Sequence, residues 1–341
     1  MRDGMLTNIY YRATVTDINR NIAATLKHCG PALISDPTTL NPVADTLVAI
    51  ITKKHSCQLD FGDTDDMEDL EESSEYDWLI IDTALDAVVG LATSLGETFG
   101  QLWKVFEKAI MRFASSSEAY ERSTSVGVIA ECIRGMKSEV TPYTTTLLKL
   151  LLHRMSDEHV ETKSNAAYAV GLLQEYSNND QEILISYNTI LAKLEPLLRM
   201  NEARAKDNAA GCVSRMIMKH RDHVPLEAVL PALVELLPLK EDFEENEPVY
   251  KMIFKLCRFC LLSVIFPFTK LTFRHADSQA EPTIASLTPK IVSVLAQVMG
   301  PPADQLKDST REQLLQLLRF IHGKQPGMIQ KYENLRTMIS N

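Results

Sequence analysis

Three segments of the chain align without gaps: Arg122-Ser-Thr-Ser-Val-Gly, Lys163-Ser-Asn-Ala-Ala-Tyr and Lys206-Asp-Asn-Ala-Ala-Gly. They start 41 and 43 residues apart, inside the roughly 40–47 residue period of HEAT and armadillo repeats. Between them fall Tyr143 and Tyr187, 44 apart, each at the head of a preceding helix. A period of this length means that each unit is a pair of helices. Such a pair cannot bury its apolar face alone, so consecutive pairs must stack. The expected fold is therefore all-α: an α-solenoid, or superhelix, of about seven or eight HEAT/armadillo-like helix pairs at that period, forming one continuous stack over residues 1–341.

Local periodicity agrees. Leu147, Leu148, Leu151, Leu152 and Met155 recur at i, i+1, i+4, i+5 and i+8, a wide apolar stripe on a 3.6-residue turn. Ile190, Leu191, Leu194, Leu197 and Leu198 repeat it, as do Val229, Leu230, Leu233, Val234 and Leu237, and then Ile291, Val292, Leu295, Val298 and Met299. Ala166, Ala167, Ala209 and Ala210 are small enough for close helix packing. No alternating run bounded by hairpin turns requires a strand. The helices over 118–136, 161–176 and 202–219 are expected to form the inner layer, lining a concave surface. Thr124, Asn165 and Asn208 hold equivalent places at its start. An inter-repeat hydrogen-bond ladder is the simpler role for them, because Asn competes for nearby backbone groups; ligand contact is the alternative. Glu131, Tyr168, Glu175 and Arg215 lie further along the same surface.

Charge is concentrated rather than spread. Residues 60–77, DFGDTDDMEDLEESSEYD, hold ten acids and no Lys or Arg: Asp60, Asp63, Asp65, Asp66, Glu68, Asp69, Glu71, Glu72, Glu75 and Asp77. These ten equal the whole excess of 45 Asp and Glu over 35 Lys and Arg. So dense a block repels itself and stays solvated, which predicts a mobile loop. It is either a solubilising surface loop or a docking arm for a basic partner. The electrical balance of the remaining chain favours the arm. Ser74-Glu75-Tyr76-Asp77 matches the capping-box pattern before the apolar run WLIIDTALDAVVGLA, so Ser74 is expected to cap the next helix. Ser73 and Ser74 also sit in a context suited to an acidophilic kinase. An acidic chain is a poor binder of nucleic acid or anionic membrane. Six cysteines in 341 residues make no disulfide framework. The first residues lack an apolar signal-peptide core, and 13 Gly and 15 Pro are too few for a disordered or collagen-like chain.

The segments EYDWLIIDTALDAVVGLA after an acidic insert, ETKSNAAYAVGLL, EARAKDNAAGCVSRMI and LLPLKEDFEENEPVY resemble the importin-β (karyopherin-β) family, in its fungal importin-4 type. The resemblance runs from about Asp17 to Leu335 and is most distinctive at Leu236–Asp242 with Glu244, Glu245 and Asn246. It implies a nuclear import receptor without catalysis, shuttling between cytoplasm and nucleus. Its cargo would be basic proteins such as histones or ribosomal proteins, bound at acidic loops and on the concave face. It also implies contact with FG nucleoporins on the outer face, and cargo release by the GTP-loaded Ran GTPase. The ten acids of 60–77 carry over as candidate cargo contacts, with Asn165, Asn208, Glu131 and Glu175 as candidates on the inner layer. The chain corresponds to the C-terminal third of such receptors. The N-terminal repeats that hold Ran are not in it, so weak or no Ran binding is expected. A HEAT-repeat scaffold subunit of a phosphatase or chromatin complex is the alternative, but it gives the acidic block no task.

Residues 258–280, RFCLLSVIFPFTKLTFRHADSQA, break the pattern with four Phe and a central Pro267. The uncharged run between Arg258 and Lys270 holds 11 residues, too short for the ~20 of a membrane span. A hydrophobic binding loop is one reading. The abrupt change of composition between continuous flanks favours the other, translated intron sequence.

No phosphate-cradling, zinc-protease or nucleophile-elbow motif occurs. Cys257-Arg-Phe-Cys260 is a lone pair without the about four ligands of a zinc site. His220 and His223 fit a basic helix C-terminus, which the macrodipole favours. Trp78 and Trp103 read as packing residues, although either can serve as an exposed anchor. No catalytic, cofactor or metal residue is expected.

Overall fold

A computed structural model describes the backbone of residues 2–30, 32, 37–58, 67–265, 275–300 and 305–340. Within these it describes the side chains of all but 2–10, 37, 67–76, 259–265 and 275–280. Every regular element among the described residues is helical. In order they are α1 (Arg2–Cys29), α2 (Pro37–Ile51), α3 (Met67–Leu95), α4 (Phe99–Phe113), α5 (Ala119–Met136), α6 (Thr144–Arg154), α7 (Val160–Tyr176) and α8 (Asp180–Ile185). Then follow α9 (Tyr187–Leu198), α10 (Ala203–His220), α11 (Leu226–Leu236), α12 (Asn246–Ile265), α13 (His275–Val298), α14 (Asp308–Lys324), α15 (Pro326–Gln330) and α16 (Glu333–Ser340).

The chain divides into two compact units, Met1–Glu182 and Ile183–Asn341. In the first unit α1, α3, α5 and α7 pack side by side as one layer, while α2, α4 and α6 back onto α3, α5 and α7. In the second, α10, α12 and α14 form one layer, with α9 on α10 and α11 on α13 in the other. Each unit is thus a two-layer stack of helix pairs, the HEAT-type solenoid arrangement.

The apolar stripes explain the layers. Leu147, Leu148 and Leu151 of α6, Ile190, Leu194 and Leu197 of α9, and Ile291, Val292 and Leu295 of α13 are all buried. Ala166, Ala167, Ala209 and Ala210 are fully buried, so the second helix of each pair can approach its neighbours closely. Gly135 goes further: a Cβ there would stand 2.5 Å from the Ala92 carbonyl oxygen, so the α3–α5 contact requires glycine. Pro42, Pro196, Pro231, Pro282 and Pro289 lie inside α2, α9, α11 and α13, the backing helices, where a carbonyl left without its backbone donor can be met by solvent. Asp77–Phe113 is long and apolar enough to cross a membrane by length and composition. Its apolar residues, among them Ile80, Ile81, Leu85, Leu91 and Phe106, form part of the core of the first unit.

Three expectations change. Helix α3 starts at Met67, so residues 67–77 of the acidic segment are helical rather than loop, and Ser74 lies inside the helix rather than at its cap. Acids are favoured at a helix N-terminus by the macrodipole, and Glu is itself a good helix former, so the run extends the helix instead of ending before it. Asp60, Asp63, Asp65 and Asp66 lie outside the described residues. Of the stretch 258–280, residues 258–265 continue α12 and 275–280 begin α13, while 266–274 are outside the described residues.

Candidate functional site

The α1–α3–α5–α7 layer of the first unit is where the expected inner-face residues gather. Its helices run parallel and in register. Asn165 Nδ2 of α7 donates to the Ser123 carbonyl of α5 at 3.1 Å and reaches its hydroxyl at 3.4 Å. The ladder role expected of Asn165 therefore holds in this unit. Further along, Tyr168 donates its hydroxyl to Glu131 Oε1 at 3.1 Å, and Arg134 Nη1 stands 3.5 Å from both Glu131 Oε2 and the Tyr168 hydroxyl. Glu175 ends the row as an exposed side chain.

The turn between α6 and α7 is held to the start of α5 by ions. Arg122 sets Nε and Nη2 against the two Asp157 oxygens, each at 2.9 Å, and gives Nη1 to the Ser116 and Ser117 carbonyls. Asp157 also receives Arg154 Nη1 at 2.7 Å and the His159 amide at 3.0 Å. Burial alone would push the Asp157 carboxyl up. The Arg122 hydrogen bonds, the His159 amide and the charges of Arg122 and Arg154 outweigh it, so the group titrates at about 2.

Sequence reasoning passed over Asp82 and Asp86. Burial, and for Asp82 also the neighbouring Asp86 charge, raise both carboxyls, while Arg20 on α1 and, for Asp82, the nearby Thr124 hydroxyl pull the other way. A signal existed: stepping back 42 residues from Thr124, one repeat, lands on Asp82. With Glu131 and Glu175 these residues give the layer a discontinuous row of carboxylates that can receive cations without a metal or cofactor.

Three of the singled-out residues are tied up within the fold. Asp77 is not a free acid of the arm. Its carboxylate pairs with Arg12 at 3.5 Å, the two side chains being 17% and 8% exposed, and Arg12 Nε donates to the Cys57 carbonyl at 2.9 Å. The pair ties α1 to α3. Asn208 is 1% exposed, so it cannot meet a bound chain. Arg215 is buried against Glu245, with Nη2–Oε1 at 2.9 Å and Nη1 on Oε2. The cause in the second unit is the segment 237–245, which folds over α10. Asp207 Oδ2 accepts the amides of Lys240, Glu241 and Asp242 at 2.8–3.0 Å. Gly211 leaves room for the Glu245 carboxylate, whose Oε2 would lie 1.3 Å from a Cβ. The side chains of Glu68, Asp69, Glu71, Glu72 and Glu75 are outside the described set, although their backbone is on α3.

The remaining singled-out residues resolve as packing. Trp103 is fully buried. His220 and His223 stack edge-on with Tyr187, at centroid distances of 5.8 and 6.0 Å. Cys257 is buried in α12. The aligned tyrosines diverge, Tyr143 donating to the Gly100 carbonyl and Tyr187 to that of Met216.

Comparison with known proteins gives a consistent picture. The family described as importin subunit beta-1-like, TPR repeats, matches residues 67–204. The probable importin subunit beta-4 of Schizosaccharomyces pombe is 32% identical over 305 residues, 87% of this chain and 26% of that protein. Human importin-4 is 30% identical over 239 residues, 69% of this chain and 22% of that protein. The crystal structure of Kap121p bound to Pho4p covers 99% of this chain and 35% of that one, with a TM-score of 0.52 and 12% identity, and so shares the fold. The chain spans about a quarter of the length of the curated relatives it matches.

Proposed function

Given that the chain belongs to the importin-β (karyopherin-β) family, we propose that it is a cargo-binding part of a nuclear import receptor that captures basic proteins through its acidic segment. The observation that carries this reading is the coincidence of the whole net charge of −10 with residues 60–77. A balanced scaffold with one anionic segment raises the encounter rate of Lys/Arg-rich partners without attracting them elsewhere. The carboxylates of Asp82, Asp86, Glu131 and Glu175 continue negative charge along the layer onto which that segment leads. Histones and ribosomal proteins are cargo of this chemical kind. The protein works by binding and release, in cytoplasm and nucleus, and nucleoporin contact belongs to the same proposal.

The test is a titration with a fluorescein-labelled lysine-rich peptide at low and at near-physiological ionic strength, before and after deletion of residues 60–75, which spares the Asp77–Arg12 pair. Affinity that falls with salt and is lost on deletion supports the proposal. Unchanged binding after deletion refutes it.

A further inference from the structure

The sign of the charge reverses along the chain. Residues 1–182 hold 28 Asp and Glu against 15 Lys and Arg, whereas residues 246–341 hold seven against 12. In the second unit part of that basic excess collects on α12. Val249, Tyr250, Met252, Ile253, Leu256 and Cys257 are all buried. They leave the helix one open face, made by Glu247, Lys251, Phe254, Lys255 and Arg258, whose three- and four-residue spacing puts them on the same side.

The neighbouring helix α14 starts level with α12. Asn246 Nδ2 donates to the Gln305 carbonyl at 2.9 Å, and Glu247 pairs with Lys307. At this end the charges cancel: Glu247 receives both Lys251 and Lys307, and exposed Asp308 and Glu312 lie on the first turns of α14. Further along they do not. Arg258 is 12 residues past Asn246, and exposed Arg319 is 14 past Gln305, so the two lie within one turn, about 5.4 Å, of the same level. From position 248 to the end of α12, and from 313 to the end of α14, neither helix carries an Asp or Glu. Among the described residues Lys255, Arg258 and Arg319 form no ion pair. The Arg258 guanidinium instead lies 6.0 Å from the centroid of half-buried Phe254.

We infer that Lys255, Arg258 and Arg319 form a docking face for an acidic segment of a partner protein, an extended stretch rich in Asp and Glu. Charge complementarity selects this occupant. Three like charges share one end of two adjacent helices with no carboxylate on either helix there to neutralise them, and they repel until an anion arrives. Packed helices stand about 8–10 Å apart, and side chains on one side of an extended strand repeat every ~6.6 Å, so neighbouring carboxylates of one segment reach both helices. The two guanidiniums can each take a carboxylate bidentately, and Phe254 gives the segment an apolar floor between them. A nucleic acid suits the face less well, because it brings a charge at every phosphate to a chain whose net charge is −10. The inference does not depend on the capture of basic cargo, which concerns partners of the opposite sign and the first unit.

The experiment titrates the full chain with fluorescein-labelled decaglutamate, followed by anisotropy at low and at near-physiological ionic strength. Binding that weakens with salt is expected. Lys255→Gln, Arg258→Gln and Arg319→Gln should each weaken it roughly 2- to 5-fold, the size of an exposed ion pair, and the triple variant should weaken it more than any single change. The control changes Lys104 and Lys108 to Gln; both are exposed on α4 of the first unit, and binding should stay as in the parent. Every altered position is exposed, and a circular dichroism melt confirms that the variants fold. No binding of decaglutamate, parent-like binding by the triple variant, or an equal loss in the control overturns the docking face. Labelled decauridylate that binds more tightly than decaglutamate and is lost in the triple variant overturns the choice of a peptide.

Discussion

Replacing Asp157 by Asn isolates what a buried ion network contributes to the first unit. The parent carboxylate is 2% exposed and holds Arg122 through two 2.9 Å contacts, Arg154 at 2.7 Å and the His159 amide. Asparagine keeps the shape but removes the charge and turns one of the two accepting oxygens into an NH2 donor, leaving the buried Arg122 guanidinium without its counter-ion and with one amide oxygen and the Ser116 and Ser117 carbonyls as acceptors. Breaking one side of such a pair costs about 3–5 kcal/mol. The pH dependence gives a second handle. The group falls from 3.8 to about 2 on folding, which at 1.36 kcal/mol per unit is a contribution of about 2 kcal/mol. Because the folded value is depressed, that contribution is fully present above pH 3.8 and is lost as the pH falls toward about 2. Both tryptophans lie in the first unit, so urea unfolding followed by tryptophan emission reports this unit alone. The variant is expected to lose about 3–5 kcal/mol at neutral pH and to show a shallower fall in stability over the acid window. A loss below about 1 kcal/mol, of the size seen for exposed pairs, refutes the assignment, as does an unchanged acid dependence.

Gly135→Ala forces a Cβ to 2.5 Å from the Ala92 carbonyl. It should destabilise the first unit by about 1–3 kcal/mol, the usual cost of overpacking, in the same urea assay; a neutral effect would refute the close α3–α5 contact. Gly211→Ala must evict Glu245 from Arg215, and amide hydrogen exchange over residues 237–245 should accelerate as the segment loosens from α10. Glu247→Gln provides the contrast. Lys251 and Lys307 hold this carboxyl at about 2, but the Lys307 side chain is 62% exposed and Glu247 itself 27%. Solvent screening should limit the loss to about 1 kcal/mol or less, seen as a small shift in the thermal melt.

Much of the architecture was legible because it is local. The 3.6-residue stripes of α6, α9, α11 and α13 need only their own segments to be read. The 41- and 43-residue offsets put Arg122, Lys163 and Lys206 at one level of successive second helices. The Asn165 ladder followed from the same alignment. The start of α3 did not, because the capping pattern at Ser74 competes with an upstream run of acids that itself favours a helical first turn.

The amino-acid order alone established a stack of paired helices, one concentrated block of negative charge and no recognisable catalytic motif. It could not separate Asn165 from Asn208, which align residue for residue. Asn165 remains half-exposed on α7, whereas Asn208 is shut in, on an α10 over which a segment more than thirty residues later folds, pinned by Asp207 and Arg215. Likewise, whether Asp77 was a free acid or one half of a tie to Arg12 depended on where α1 packs. Periodicity is written in neighbouring residues, but exposure is decided by whatever distant segment comes to lie on top, and only the folded chain brings that segment into place.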